Sequence, residues 1–240
     1  MAEWLPLVAG TRFNAAVHAL RLTATSGRIR VLAEARDGLL VERGEDRADA
    51  DGREIRGGSD GVRVRVPTGT DLVIGSDSGS VTAEGVLGAV GITTTSGRVR
   101  IDHCRELDVR TGSGRLDVGE VDGDARIRST TGRIQVQRVG GALRVDSTSG
   151  RVEVDDVHGA VTARTVEGRL TIGLQGTEPV CCESVSGRID VTVPRGVAPS
   201  TSMRTVSGRC TCDLPEGTAP AISARTVSGR IDVRARDAHG

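Results

Sequence analysis

A positively charged side chain follows a glycine at regular intervals along this sequence. All 32 basic residues are arginines, and nine of them occupy this position: Arg28 and the eight candidate site residues Arg98, Arg115, Arg133, Arg151, Arg169, Arg188, Arg209 and Arg230. Arg28 begins the series, and Ser80 is its one exception. Because a guanidinium group binds phosphate and similar anions through a fixed fork of donors, a row of them predicts a ligand-facing surface for a polyanion such as a phosphate-bearing polymer.

An alternative interpretation is that these arginines keep an outer face soluble and pair locally. Two residues after the arginine, facing the same way, stand acidic residues in four repeats: Asp117, Glu153, Asp190 and Asp232. The 32 basic and 32 acidic residues cancel, and this balance favours the alternative. It also argues against a dedicated nucleic-acid binder, which normally carries a positive excess.

The five cysteines suggest a second kind of chemistry. Cys181–Cys182 and Cys210–Cys212 fall in neighbouring repeats, and four thiolates close together bind zinc. However, Cys210 and Cys212 stand where other repeats have isoleucine and valine, Cys182 is in an inward position, and Cys104 matches a corner valine. A buried cysteine behaves as a small hydrophobic residue. We therefore expect core cysteines, no metal site and no cofactor, with only Cys181 as an outward, reactive thiol.

Catalytic motifs are not evident. The four histidines lie in no nucleophile, zinc or paired-carboxylate motif and are expected at the surface: His18, His103, His158 and His239. The stretch "DADG" at 49–52 does not complete a calcium loop, because Arg47 and Gly58 stand where the pattern requires Asp and Glu. With no tyrosine and only Trp4 and Phe13 as aromatics, sugar-stacking platforms are lacking. The sequence predicts that the protein is not an enzyme.

The glycines that precede the arginines define a repeat. They are Gly27, Gly79, Gly97, Gly114, Gly132, Gly150, Gly168, Gly187, Gly208 and Gly229, separated by 17 to 19 residues from Gly79 to Gly187 and by 21 thereafter. Two positions after them stand Ile29, Val81, Val99, Leu116, Ile134, Val152, Leu170, Ile189, Cys210 and Ile231. Four positions after them, small apolar residues recur from Val31 to Val233. This alternation is typical of half-buried strands.

A second strand precedes each glycine, with a hydroxyl residue three positions ahead of it, as at Thr165 and Thr226. Similar residues at matching positions of successive repeats favour parallel stacking of each strand on its copy. The predicted fold is all-β: a right-handed parallel β-helix (β-solenoid) of about ten rungs with 17–21 residue repeats. An antiparallel β-hairpin meander is the alternative.

Two regions depart from the repeat. Residues 1–19 are predicted as an N-terminal cap in which Trp4 and Phe13 close the core, and residues 20–240 as the β-solenoid repeat domain, irregular at 35–70. Within the irregular part, the charged run at 42–61 is expected to be an exposed loop or a bulge. Residues 39–42 and 62–66 are predicted as strands.

No segment approaches 18 consecutive apolar residues, and no basic region followed by an apolar stretch opens the chain. We therefore expect neither a membrane span nor a signal peptide. An odd number of cysteines fits a reducing compartment. The expected location is cytoplasmic.

The phrase "SG-x-[hydrophobic]-x-V" and its "VP-x-G" or "LP-x-G" lead-ins, at 66–81, 193–209 and 214–230, also suggest a relationship. In these features the chain resembles a bacterial family of β-strand-repeat proteins of unknown function that carries the label "putative adhesin". The resemblance covers nearly the whole chain from about residue 20. It implies a β-solenoid with no established catalytic residues.

Together these features predict a non-enzymatic scaffold or interaction module. Its partner is a macromolecule of unknown identity or a second copy of itself. A self-assembling structural protein, joined through open terminal repeats, is the alternative. A polysaccharide-acting enzyme is the weaker alternative, because many such enzymes are β-helices.

Overall fold

The computed structural model describes residues 19–49 and 52–236. Trp4, Phe13 and nearly all of the predicted cap lie outside them, as do His18 and His239. The strands are β1 (Ala19–Glu34), β2 (Leu40–Arg43), β3 (Glu45–Asp49), β4 (Gly52–Gly57), β5 (Val62–Pro67), β6 (Asp71–Val121), β7 (Ala125–Val139), β8 (Leu143–Val157), β9 (Val161–Leu174), β10 (Val180–Val193), β11 (Ser200–Cys212) and β12 (Ala221–Ala235). The described chain is therefore all-β, as predicted. It forms two compact units, Met1–Asp117 and Val118–Gly240.

In the second unit, successive repeats pair in parallel and in register. Gly132 is the partner of Gly150, Gly150 of Gly168, and Gly168 of Gly187. The apolar positions before and after these glycines pair in the same register. A shift of one residue would turn every core side chain outward, so burial of the core favours this register. The antiparallel meander does not describe these pairings.

The predicted inward positions form the core of each repeat. The positions two and four residues after the glycine are buried from Ile29 to Val191 and again at Ile231 and Val233. The corner valines Val121, Val139 and Val157 are fully buried. Full burial of each such side chain stabilises the fold by about 1.5–3 kcal/mol.

The glycine corner is required by both backbone conformation and space. Gly150 has a φ of 134° and Gly168 a φ of 130°, values that side chains with a Cβ rarely adopt. A Cβ on Gly168 would also collide with the carbonyl oxygen of Gly150. Each glycine thus permits the sharp bend and the close approach of the neighbouring repeat.

The hydroxyl residues ahead of the corner bond to it. Thr165 Oγ1 donates to the Glu167 carbonyl oxygen at 3.1 Å, and Thr94 Oγ1 donates to that of Ser96 at 3.1 Å. The shorter serines differ: the buried Oγ atoms of Ser129 and Ser184 have no hydrogen-bond partner. Thr94 and Thr165 thus bond the backbone of their own corner, whereas Ser129, Ser184 and Thr205 do not.

The last two repeats of the second unit are not stacked in chain order. β12 pairs with β10 through Gly187 and Gly229, and β11 pairs with β12 through Gly208 and Gly229. The strand order is β11-β12-β10-β9-β8-β7. The final strand of the chain is thus internal, and β11 forms the edge.

The first unit is organised around β1. The start of β6 pairs in parallel with one side of β1, while β4 and β5 pair in parallel with the other. On their outer side, β3 runs antiparallel to β4 and β2 antiparallel to β5. The predicted strands at 39–42 and 62–66 correspond to β2 and β5.

The expectation that the charged run at 42–61 forms a loop or bulge was wrong, because β3 and β4 form a hairpin there. Their register sets Glu45 opposite Arg56, and opposite charges at such positions favour pairing. Ile55 is fully buried and anchors β4. Beside it, the Arg56 guanidinium donates a hydrogen bond to the buried Glu54 carboxylate at 2.7 Å and lowers its pKa, although burial opposes that effect.

In the part of the chain that the structure describes, there is no helix of a length and hydrophobicity that would let it cross a membrane.

Candidate anion-binding surface

Six of the eight predicted site arginines stack in the second unit. Their order follows the strands: Arg133, Arg151, Arg169, Arg188, Arg230 and Arg209. We call this set the arginine column. Each member is the register partner of the next, so their Cα atoms repeat at about 4.8 Å. The row of arginines expected from the sequence is therefore stacked in this unit, with Arg230 placed before Arg209 instead of in chain order.

The members of the arginine column form no direct ion pair within the described chain. Five are exposed, and Arg188 is half-buried. Within residues 19–49 and 52–236, none of the six makes an ion pair or a side-chain hydrogen bond. Direct ion pairing is therefore not observed for these six arginines, while their exposure agrees with the other half of the alternative interpretation, a soluble outer face.

A second outward set of positions, four residues before the glycine, behaves differently. From β7 to β10 its charges alternate in sign, and they pair: Arg128 Nε lies 3.8 Å from Asp146 Oδ2, and Arg164 Nε lies 3.0 Å from Glu183 Oε2. The alternation ends at β12 and β11, where Arg225 and Arg204 are register partners. Arg144 also contacts Asp146, at 3.2 Å. The same strands thus carry paired arginines on one side of the corner and unpaired ones on the other.

The arginine column borders an open groove. The groove has a volume of about 660 Å³ and is lined by Gly132, Gly150, Gly168, Arg133, Arg151, Arg169 and Arg188. The glycines contribute no side chain, so a ligand can lie close to the backbone between the guanidinium groups. The groove follows the stacking direction, which suits an elongated ligand.

Acidic residues stand two positions after three of the six arginines and offset part of this charge, whereas Gln135, Thr171 and Thr211 follow the other three. Glu153, Asp190 and Asp232 face the same way as the arginines, but Asp190 and Asp232 are register partners. Burial, and then the neighbouring Asp232 carboxylate, raise the pKa of Asp190 above its ordinary value, while Arg188 works in the opposite direction. Burial and the Asp232 carboxylate thus both disfavour the charged form of Asp190.

Arg98 and Arg115, the other two predicted site residues, lie in the first unit. They follow Gly97 and Gly114, which pack against each other. Arg115 Nε forms an ion pair with Asp117 Oδ1 at 2.8 Å, so local pairing does occur at this one position. Arg28 is the register partner of Ser80, the exception in the series.

The cysteine prediction was partly wrong. Cys104 and Cys182 are buried as expected, and burial raises the pKa of Cys182 to about 12. Cys210 and Cys212, in contrast, are half-exposed like Cys181. They do take the places of Ile231 and Val233, but they lie in the edge strand β11, which has a neighbouring repeat on one side only.

Sequence reasoning did not find the cluster around Arg236. Arg236 Nη1 lies 2.6 Å from Asp156 Oδ1, and Nη2 donates to the Asp155 carbonyl oxygen. Burial raises the pKa of the Asp155 carboxyl, and Glu153 and Asp156 add to the effect. Asp155 and Arg236 are 81 positions apart in sequence, and only the inverted order of the last repeats joins them. Since the Arg236 amide also bonds the Val193 carbonyl at 2.8 Å, the cluster fastens the end of β12.

No group of three or more potential metal ligands occurs among residues 19–49 and 52–236. His103 is half-buried, and His158 is exposed.

Comparison with protein-family profiles finds no match, and comparison with curated proteins finds no similar sequence. Among solved structures, the chain is similar to one described as "a putative cell adhesion protein" from Clostridium sporogenes, with 9% identity over 93% of this chain and 94% of that one and a TM-score of 0.23. A TM-score this low carries no argument about function.

Proposed function

We propose that the protein is a right-handed β-solenoid that acts as a non-enzymatic interaction module, binding a linear anionic polymer along the arginine column. The solenoid is supported by the parallel, in-register pairing of successive repeats. The right hand follows from the rule that crossovers between parallel strands of one sheet are right-handed. The ligand class follows from the charges.

One observation carries the proposal: six arginines are stacked, and none of them forms a direct ion pair within the described chain. Like charges directly opposite each other on neighbouring strands destabilise a sheet. From β7 to β10 the chain avoids this cost four residues before the glycine, where Arg128 and Arg164 alternate with Asp146 and Glu183. An anionic polymer would remove the repulsion in the arginine column by supplying the missing charges.

The geometry of the column favours a polymer over a small ligand. A row of guanidinium groups at about 4.8 Å spacing offers many equivalent contacts and no closed pocket. A chain carrying regularly spaced phosphate or sulfate groups can contact several arginines at once. Because such contacts are multivalent, modest single interactions sum to useful affinity.

A heparin column tests the proposal. The variant Arg151→Ser/Arg169→Ser/Arg188→Ser removes the centre of the arginine column. Serine is suited to this position, since Ser80 occupies it in the first unit opposite Arg28. The matched control is Arg128→Ser/Arg144→Ser/Arg164→Ser, which removes three exposed arginines from the paired face.

At low salt we expect the wild-type protein and the control to be retained and the column variant to elute early. Both triple variants lower the net charge equally, so the comparison separates the position of the charges from their number. Equal retention of the two variants would overturn the proposal. Repeating the comparison with immobilised polyphosphate distinguishes a phosphate-bearing from a sulfate-bearing ligand.

Asp190 and Asp232 favour a second candidate, a polysaccharide-acting enzyme. Two adjacent carboxylates, one with a raised pKa, are the groups that glycoside hydrolysis uses. The non-enzymatic proposal expects an anionic polysaccharide to remain intact after long incubation with the protein. Release of new reducing ends that the Asp190→Asn variant abolishes would replace that proposal with the enzyme.

A further inference from the structure

Four exposed valines stand at the glycine corner of the last four repeats. Each lies two residues before its glycine: Val166, Val185, Val206 and Val227, with 44%, 49%, 83% and 50% of the residue exposed. In the earlier repeats this position holds Thr25, Asp77, Thr95, Gly112, Thr130 or Thr148. Threonine has the shape of valine and the same preference for strands. The change from threonine to valine therefore adds apolar surface where the backbone does not require it.

The four valines form one row along the stacking direction. Ser184 and Ser186 of β10 pair in register with Thr226 and Ser228 of β12, and the same positions of β12 and β11 also pair. The valines between these pairs therefore repeat at about 4.8 Å. Because Ser184 and Thr226 are buried, the next residue of each strand points outward, on the convex side of the bend. We call the four valines the valine row.

Arginines flank the valine row on both sides. Beyond the glycines stand three members of the arginine column: Arg188, Arg230 and Arg209. On the other side, Arg225 and Arg204 lie two residues before Val227 and Val206 and share their face of the strand. Both are exposed, and neither forms an ion pair with a residue that the structure describes. The apolar row thus has positive charge on each flank.

The carboxylates near the valine row lie away from its β11 end. Glu183 is 3.0 Å from Arg164 and forms an ion pair with it, and Glu167 stands at the corner of β9. Asp190 and Asp232 lie three residues beyond their glycines. In β12 and β11 the corner is the phrase "RTVSGR", whose only charged residues are arginines. Positive charge and exposed apolar surface therefore coincide at these two strands.

From this arrangement we propose that the valine row docks on the surface of a bilayer that contains anionic phospholipids. Apolar side chains on a convex edge can enter the boundary between head groups and acyl chains, while the guanidinium groups beside them contact the lipid phosphates. A straight row suits a flat surface. An acidic protein partner would need a groove that matches the edge, whereas a bilayer deforms around the side chains. The valines lie outside the proposed polymer-binding surface, so the two proposals can fail separately.

Sedimentation with vesicles tests the docking. The vesicles contain phosphatidylcholine alone or mixed with phosphatidylglycerol, and we expect the wild-type protein to sediment with the mixed vesicles only. Val185→Thr/Val227→Thr should lower the affinity for them by at least about tenfold, because the added hydroxyl groups oppose entry into the apolar layer. The matched control is Val73→Thr/Val86→Thr, which changes two valines of the first unit that are 49% and 44% exposed. It should bind as the wild-type protein does.

Three results would overturn the proposal. Equal affinity of the wild-type protein and Val185→Thr/Val227→Thr for mixed vesicles would show that charge alone drives binding. Equal binding to both kinds of vesicle would remove the flanking arginines from the account. No binding of the wild-type protein to mixed vesicles would make an acidic protein the occupant to seek. The valine variant should keep the urea midpoint and the heparin retention of the wild-type protein, since Thr130 and Thr148 hold this position in β7 and β8.

Tryptophan fluorescence tests insertion independently. Val206→Trp in a Trp4→Phe background, which removes the one native tryptophan, places a single indole in the valine row. We expect its emission to move to shorter wavelength when mixed vesicles are added, because an indole that enters the apolar layer loses contact with water. Val73→Trp in the same background is the control and should show no shift. An unshifted emission from Val206→Trp in vesicle-bound protein would rule out docking through the valine row.

Discussion

Gly208 packs against Gly229, and Gly229 packs against Gly187. β12 therefore lies between β10 and β11. After β10 the chain leaves the place beside β10 empty and forms β11 one place further out, and β12 then occupies the place between them. Because of this order, the arginine column continues from Arg188 through Arg230 to Arg209. The half-exposed thiols of Cys210 and Cys212 in β11 lie at the edge of the unit for the same reason.

The glycine corner gives a stability prediction. In Gly168→Ala, a side chain must adopt a φ of 130° and collide with the Gly150 carbonyl. We expect the free energy of unfolding, measured by urea titration, to fall by more than about 3 kcal/mol. Gly196→Ala is the control, because Gly196 also has a positive φ, 82°, but open space around it. Its cost should be only about 1–2 kcal/mol. Equal losses would mean that the close approach of repeats adds nothing.

Thiol reactivity should distinguish two adjacent cysteines. In a Cys210→Ser/Cys212→Ser background, Cys181 is half-exposed, while Cys182 is buried with a pKa of about 12. Since the thiolate is the reactive form, we expect an aromatic disulfide reagent to label Cys181 in the native protein and Cys182 only after unfolding. Mass spectrometry of the labelled peptide assigns the site. Labelling of Cys182 at the rate of Cys181 would show that the inward face of β10 is open to solvent.

The positions of each repeat that face the core could be predicted from the sequence, but the stacking order of the last two repeats could not. Ile189 and Val191 alternate with polar residues in a fixed relation to Gly187, so their burial follows from the period of the strand. Which strand lies at the edge could not be predicted in this way, because β11 and β12 share the same "RTVSGR" phrase and each fits beside β10. For that reason Cys210 was expected in the core, where Ile231 lies.

The candidate site was predictable to a similar extent. The position of Arg169 after Gly168 was enough to predict that it stacks with its neighbours. The absence of an ion pair was not predictable, because it depends on side-chain directions that residue spacing does not determine. The charged hairpin was missed for a related reason: its strands have few apolar residues, and pairing of β3 with β4 stabilises them in place of a regular hydrophobic alternation.

The pKa of Asp190 predicts a pH dependence of stability. Its folded-state value is raised, so the folded protein binds more protons than the unfolded chain between the ordinary value of 3.8 and the raised one. Stability therefore falls as pH rises through that window, and the loss persists at neutral pH. Asp190→Asn is expected to raise the urea midpoint at pH 7 relative to the wild-type protein. The gain should shrink as the pH approaches 3.8.

The control for this prediction is Glu178→Gln, which removes an exposed carboxylate from the same unit. Its effect on the urea midpoint should be small at both pH values. A lower midpoint for Asp190→Asn at pH 7 would show that Arg188 and the other nearby arginines outweigh the burial of Asp190 and its repulsion by Asp232.

The salt dependence of polymer binding tests the arginine column most directly. Binding of a polyanion releases counterions, so the slope of log affinity against log salt counts the charge contacts made. For a fluorescent heparin oligosaccharide, we expect Arg151→Ser/Arg169→Ser/Arg188→Ser to lower that slope by about two, at roughly 0.7 for each lost contact. The control Arg128→Ser/Arg144→Ser/Arg164→Ser should leave it unchanged. An unchanged slope in the column variant would contradict binding along the arginine column.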